Sequence, residues 1–321
     1  MRMHPGPCNP LKGQRAAEKL FHRSLPDRGN QMKRNPLTYI GGKASLAPRL
    51  LELLPPHRTY VEVFGGVAHL LYRKEPSPIE VYNDIDARLA TLFHVLRDHF
   101  DDLAARLRWT LYARSAHAAW RRIGPSGDPI EDALRMFYLL QSSMCGDPSS
   151  SWAYSKLRRQ AVGYEGSKAA IEAVAERFKG VAIDQRDFRE IIPKWDGPET
   201  MFFCDPPYYG DPGAYFWRFT EQDHSDLAAL LRDISGKAMV TYYDHPEIRR
   251  LYAGWRISEH HRKRRSGAMW GHPQKVVCEL ILLNYDPPHF APVPGAPLPL
   301  PPAGKTTHGH LSPRKTIPTD T

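Results

Sequence analysis

The sequence contains no apolar run approaching the roughly 18 residues that a membrane-spanning helix needs, and no amino-terminal stretch of charges followed by an apolar core. A soluble, unexported, cytoplasmic chain with no membrane partner is the expectation. Cysteine is scarce: Cys8, Cys145, Cys204 and Cys278 lie far apart with no CxxC pair, which argues against a zinc site or a disulfide framework and favours free thiols. No GxGxxG is present either, so a dinucleotide is disfavoured. What the 321 residues do supply is 41% hydrophobic side chains, enough for a sizeable core in one large or two smaller domains.

The formal charge of +9 suggests nucleic acid, but its distribution tempers that reading. Residues 1–34 hold eight Lys/Arg against two acids, and residues 287–321 hold three against one, which leaves a net +1 for everything between. Any nucleic-acid surface in the middle must come from local clustering. The last 35 residues hold 10 of the 30 prolines and almost no apolar periodicity, so segments 1–34 and 287–321 are expected to be a disordered basic extension and a disordered Pro-rich tail. Met32 heads a basic run just before the first organised segment, and the functional chain is expected to begin near it.

The order of elements reads as α/β. Pro36-Leu37-Thr38-Tyr39-Ile40-Gly41-Gly42-Lys43 leads into a helix over 44–54 that Ser45 would cap and two prolines end. Glycines before a helix leave amides free for an anion, and Lys43 adds charge. Thr59-Tyr60-Val61-Glu62-Val63-Phe64-Gly65-Gly66 reads as a strand running into glycines and then an apolar helix, which brings backbone close to a nucleotide-like cofactor. Eighteen residues beyond Gly66, at the end of a strand over 79–82, Asp84 is placed to accept from ribose hydroxyls.

Residues 88–180 read as a helical insert, with apolar faces at Leu89/Leu92/Phe93/Leu96, Ile130/Leu134/Phe137/Leu140 and Ile171/Val174/Ala175/Phe178. The polar stretch 146–168 interleaves Trp152, Tyr154 and Tyr164 with Lys156, Arg158, Arg159 and Lys168, a pattern suited to phosphate contact and base stacking or to a solvated loop. The sheet resumes at 181–184, followed at once by Asp187 and Phe188, and strands and helices then alternate to residue 285. A mostly parallel sheet covered on both faces is expected. The segment 256–275 reads as a basic loop dominated by Arg262, Lys263, Arg264 and Arg265, a phosphate clamp or simply a solvated run.

The most informative stretch is Met201-Phe202-Phe203-Cys204-Asp205-Pro206-Pro207-Tyr208-Tyr209-Gly210. Four apolar residues form a buried strand, and two prolines stiffen the turn at its carboxyl end and remove two donors. Only acceptors remain beside a flat aromatic, which suits an amine on a planar ring.

The ordered set of Gly-Gly-Lys, Val-Glu-Val-Phe-Gly-Gly, Asn-Asp, Asp-Phe, Asp-Pro-Pro-Tyr-Tyr and Phe-Thr-Glu-Gln-Asp-His, spanning about residues 35–286, resembles the Dam-like alpha group of DNA adenine-N6 methyltransferases. The resemblance implies a Rossmann-like catalytic domain of the S-adenosylmethionine-dependent methyltransferase type, built from 35–87 and 181–286, with 88–180 as its DNA-recognition insert. It implies S-adenosylmethionine as cofactor, double-stranded DNA as partner, no metal, and a bacterial restriction-modification, nucleoid-associated or phage setting. By matching motif, Tyr39, Gly42 and Lys43 would lie near the methionine end, Phe64 and Gly66 would line the site, Asp84 would hold the ribose, and Asp187 with Phe188 the adenine ring. Asp205 would also border the cofactor, and Asp205, Pro206, Pro207 and Tyr208 would be catalytic: the target adenine is extruded, Tyr208 stacks on it, and Asp205 with the Pro206 carbonyl accepts the two amine hydrogens. Trp152, Tyr154, Lys156, Arg158, Arg159 and residues 262–265 would contact DNA. Val63 and Ala68 depart from the family's usual proline and glycine, and Gln141-Ser142-Ser143-Met144-Cys145-Gly146 is not its Asn-rich recognition sequence. Cytosine N4, RNA, or DNA binding without catalysis are the alternative readings.

Overall fold

A computed structural model describes residues 35–210, 219–263 and 276–288, with the Lys263 side chain left out. The basic extension with Met32, the tail beyond residue 288, and Arg264 and Arg265 lie outside the described residues. The described residues belong to one compact unit.

Seven strands form one sheet: β1 (Thr59–Glu62), β2 (Ile79–Asn83), β3 (Val181–Asp184), β4 (Thr200–Cys204), β5 (Lys237–Tyr243), β6 (Arg256–Lys263) and β7 (Val276–Leu283). Their spatial order is β3-β2-β1-β4-β5-β7-β6. The first five in that order run parallel, β7 is antiparallel to β5, and β6 is antiparallel to β7. This is the expected mostly parallel α/β sheet, consistent with the fold of an S-adenosylmethionine-dependent methyltransferase. The chain leaves β1 toward β2 and β3, then returns to place β4 on the other side of β1, so the strand order reverses between β1 and β4. A crevice opens at such a switch point, outside the carboxyl ends of the two strands.

Every residue of β1 and β4 is buried, because the sheet is covered on both faces. Successive side chains alternate faces. Tyr60, Met201 and Phe203 join the core beneath α1 (Ala47–Leu53), α2 (His69–Arg73), α3 (Ala87–Asp98), α6 (Pro129–Ser142) and α8 (Glu172–Phe178). Val61, Phe202 and Cys204 join the opposite core beneath α9 (Phe188–Trp195), α10 (Glu221–Asp233) and α11 (Pro246–Leu251). Phe93 of α3 stacks on Phe178 of α8 with centroids 4.3 Å apart, and Tyr82 of β2 meets Phe93 at 4.5 Å. The helical segment therefore shares its core with the sheet.

Several local expectations need correction. Helix α1 starts at Ala47 rather than 44, and its N-cap is Leu46 with no side-chain hydrogen bond, so Ser45 does not cap; Pro48 is accommodated at the helix start. The helical segment also contains α4 (Phe100–Arg108), α5 (Arg114–Trp120) and α7 (Gln160–Ala170). Helix α7 begins inside the expected polar stretch and runs two residues past it: two glycines obscured its period, and burial of Tyr164 secures it. Residues 256–263 are strand β6, not loop, because β7 offers them a paired edge. Asp128 caps α6 by accepting from Ile130 N, as the Asp-Pro start predicts, and Thr220 with Asp223 forms a capping box on α10. Among the described residues no helix is long and apolar enough to cross a membrane.

Candidate active site

The first wall of the switch-point crevice is the glycine turn after β1. Strand pairing continues past it, Val63 N donating to Phe203 O at 2.9 Å and Gly65 N to Asn83 O at 2.8 Å. A Cβ on Gly65 would stand 2.2 Å from the Tyr82 ring, so only glycine lets this turn approach β2. Gly66 has φ 52°, and Ala68 at the start of α2 has φ 55°, where its Cβ costs about 1–2 kcal/mol. The departure from glycine at Ala68 is therefore a strained one. Two further bonds tie the turn to β2 and the residue after it: Gly66 N donates to Asp84 Oδ2 at 2.7 Å, and Tyr82 OH donates to Gly66 O at 2.8 Å.

Asp84 also accepts from Asp86 N through Oδ1 at 2.9 Å. Burial pushes its carboxyl up to about 6, the two amides only partly countering that. Each oxygen keeps a further lone pair. Tyr39, Gly42, Lys43, Phe64, Gly66, Asp84 and Asp205, seven of the nine residues expected at the cofactor, line one cavity. Asp187 and Phe188 are not among its lining residues. Asp187 caps α9 through Arg189 N at 2.8 Å, and Phe188 packs against Phe64, centroids 5.9 Å apart, and Phe219.

The second wall is the Asp-Pro-Pro-Tyr turn after β4. Asp205 Oδ1 accepts from Thr241 Oγ1 of β5 at 2.6 Å, and Oδ2 pairs with Lys43 Nζ at 2.7 Å. Lys43 also donates to Gly41 O at 3.0 Å and lies 3.5 Å from Glu279 Oε1 of β7. Burial raises the Asp205 pKa; Lys43 and Thr241 pull it back, and the Glu279 charge adds to the rise. The Tyr208 hydroxyl donates to Glu279 Oε1, its ring meets Tyr243 edge-on at 4.5 Å, and Lys43 Nζ sits 4.8 Å from its centroid. Arg262 of β6 closes the network through Nε to Glu279 Oε2 at 2.7 Å. Burial opposes ionisation of Glu279, but Lys43, the Tyr208 hydroxyl and Arg262 outweigh it and lower its pKa.

Sequence reasoning assigned no role to Thr241, Glu279, Glu62 or His69. Glu62 lines the cavity; its Oε2 takes Tyr60 OH at 2.9 Å and Leu71 N at 2.8 Å, and burial raises its pKa to about 8. His69 also lines the cavity, its Nδ1 is buried without a partner, and burial, Arg73 and Lys43 lower its pKa to about 4. Both could have been suspected as polar residues inside an apolar run.

The residues expected at DNA divide. Tyr154, Lys156, Arg158 and Arg159 are exposed just ahead of α7, together with Leu157. Trp152 is only half exposed: it makes a β-bridge to Ser143 and packs between Tyr112 and Tyr154 at 5.3 and 6.3 Å. Arg262 lies on a strand and is bound to Glu279, so it is no free phosphate clamp. Among the described residues, Glu259, His261 and Cys278 bring ligand atoms within 4.8 Å of one another on β6–β7, where Arg249 already pairs with Glu259.

A family model described as D12 class N6 adenine-specific DNA methyltransferase matches residues 39–266. No curated protein matches the chain. The matched span contains both walls of the crevice.

Proposed function

The chain belongs to the D12 class N6 adenine-specific DNA methyltransferase family, and from that premise we propose that the β1/β4 crevice binds S-adenosylmethionine and presents an extruded adenine to Asp205. As a family member the chain is a DNA adenine-N6 methyltransferase, which favours adenine over the cytosine and RNA alternatives. The observation that carries the site assignment is the meeting of Gly66, Asp84, Lys43 and Asp205 on one cavity at the switch point.

The residues present fit the cofactor. A nucleoside needs acceptors for its ribose hydroxyls, and Asp84 keeps lone pairs for them beyond its two amide bonds. An amino-acid end needs an acceptor for its ammonium; Glu62 Oε1 has none of the bonds that occupy Oε2, and an arriving ammonium would favour the ionised carboxylate against the burial that raises its pKa. Gly42 lines the same cavity and packs so closely on His69 that a Cβ there would stand 2.5 Å from Nε2, so a side chain would displace a cavity wall. When bound, S-adenosylmethionine supplies an electrophilic methyl group on a sulfonium.

This chain's own residues prepare the nucleophile. Adenine's amine is weak because its lone pair is delocalised into the ring. Asp205 and the Pro206 carbonyl accept its two hydrogens, drawing the nitrogen toward a pyramidal geometry and localising the lone pair. Tyr208 stacks on the extruded ring, a contact worth roughly 1–3 kcal/mol against the few kcal/mol that extrusion costs. Exposed Lys156, Arg158 and Arg159 hold the flanking phosphates.

Titration calorimetry with S-adenosylmethionine tests the assignment. Asp84→Ala should weaken binding by at least about tenfold, on the scale of losing a charge-assisted bond. Asp205→Ala should weaken it less, because its main role is at the amine. Equal affinity of Asp84→Ala and the unaltered chain would remove the ribose role.

A further inference from the structure

The acceptor that this reaction needs is already engaged by a cation of the chain. Lys43 Nζ is 2.7 Å from Asp205 Oδ2 and 4.8 Å from the Tyr208 centroid, the region an adenine amine and ring would take. The same ammonium is 3.5 Å from Glu279 Oε1. Glu279 is 1% exposed and stands on β7 opposite Tyr243 of β5. Its oxygens are divided: Oε1 takes the Tyr208 hydroxyl and Oε2 takes Arg262.

Two anions and two cations thus balance in a cluster whose centre, Lys43 and Glu279, is buried and whose outer members, Asp205 and Arg262, are partly exposed. An ammonium between two carboxylates can move toward one as the other gains a competing donor, without leaving the field of either. Glu279 also meets the aromatic that is to stack on the base, through a bond that fixes where its ring lies. We propose that Glu279 is a positioning residue of this transferase: it receives Lys43 as the adenine amine takes Asp205, and it holds the Tyr208 ring by its hydroxyl. The inference rests on the reading of Asp205 as amine acceptor.

A neutral residue at 279 would leave Asp205 as the one carboxylate beside Lys43, so the ammonium would stay on the acceptor. It would also leave Arg262 without its carboxylate partner. Asp205 faces Lys43 ahead of α1, Glu62 of β1, Tyr242 of β5 and Glu279 of β7, besides Tyr208 in its own turn; of these, Glu279 adds to the rise in its pKa. Removing that charge should therefore ease ionisation of Asp205.

The test is steady-state methylation of DNA carrying a mapped target adenine, with labelled S-adenosylmethionine, for Glu279→Gln. The expected result is a kcat lower by about tenfold or more with the cofactor KM within about threefold. The acid limb of the kcat profile should move to lower pH, which a merely structural role would not produce. Glu279→Asp, which keeps the charge, should recover part of the loss. A Glu279→Gln enzyme with unaltered kcat and acid limb overturns the proposal. If that variant fails to fold, Tyr208→Phe removes only the hydroxyl: a lower kcat at unchanged cofactor KM supports the proposal, and an unaltered kcat overturns it. Asp205→Ala separates the two levels: an active Asp205→Ala enzyme defeats the underlying reading, whereas an inactive one beside a fully active Glu279→Gln defeats this inference alone.

Discussion

At the scale of single residues, the buried acid Glu62 gives the clearest stability prediction. Its ordinary pKa of 4.5 is raised to about 8 in the fold, mainly by burial. Between those values the unfolded chain has released this proton and the folded chain still holds it, so stability falls as pH rises through that window and levels off above it. Glu62→Gln keeps acceptors for Tyr60 and Leu71 without the titration. Its unfolding temperature relative to the unaltered chain should be higher at pH 8 than at pH 5, by an amount worth up to a few kcal/mol; an equal difference at both would mean that Glu62 does not titrate in this way. Asp205, Lys43, Gly66 and Asp84 were legible because each lies in a short motif whose local chemistry is explicit. Thr241 and Glu279 were not, since they reach Asp205 and Tyr208 across 36 and 71 residues, through a sheet register that no local pattern encodes.

Elements were legible where burial is two-sided. Strands β1 and β4 are buried along their whole length, and the sequence shows them through Tyr60, Val61 and Val63 and through the apolar run Met201 to Cys204. Strand β6 is an edge strand with a single apolar residue, Ile257, whose only strand neighbour among the described residues is β7, so its pairing and not its composition defines it. Helix α7 was hidden by Gly163 and Gly166 and is held by the buried Tyr164. The glycine turn is the element on which the site most depends. Gly65→Ala would force a Cβ into the Tyr82 ring, overpacking that should cost about 1–3 kcal/mol. Because the same turn presents Gly66 to Asp84, cofactor affinity should fall together with thermal stability. A variant that keeps both would show that the turn has room to shift.

At the scale of the whole molecule, the sheet places the cavity at one end of β1 and β4 and the helical segment beside it, within a single compact unit. The net charge says little about this arrangement, because most of it lies in the two ends of the sequence. The proposed DNA contact rests instead on Lys156, Arg158 and Arg159, which are exposed. Replacing all three by glutamine should weaken binding whatever the DNA sequence, and should make the salt dependence of affinity shallower by roughly 0.9 for each phosphate no longer neutralised. An unaltered slope would exclude them from the interface. The central claim joins all three scales: Asp205, held by two elements at the switch point, activates an adenine amine toward S-adenosylmethionine. Its most direct test is mass spectrometry of nucleosides from DNA incubated with the protein and deuteromethyl S-adenosylmethionine. The account predicts label in N6-methyladenine, reduced at least about 100-fold by Asp205→Ala, on the scale of removing a preorganised polar group. Label in another nucleoside, or undiminished label with Asp205→Ala, would contradict it.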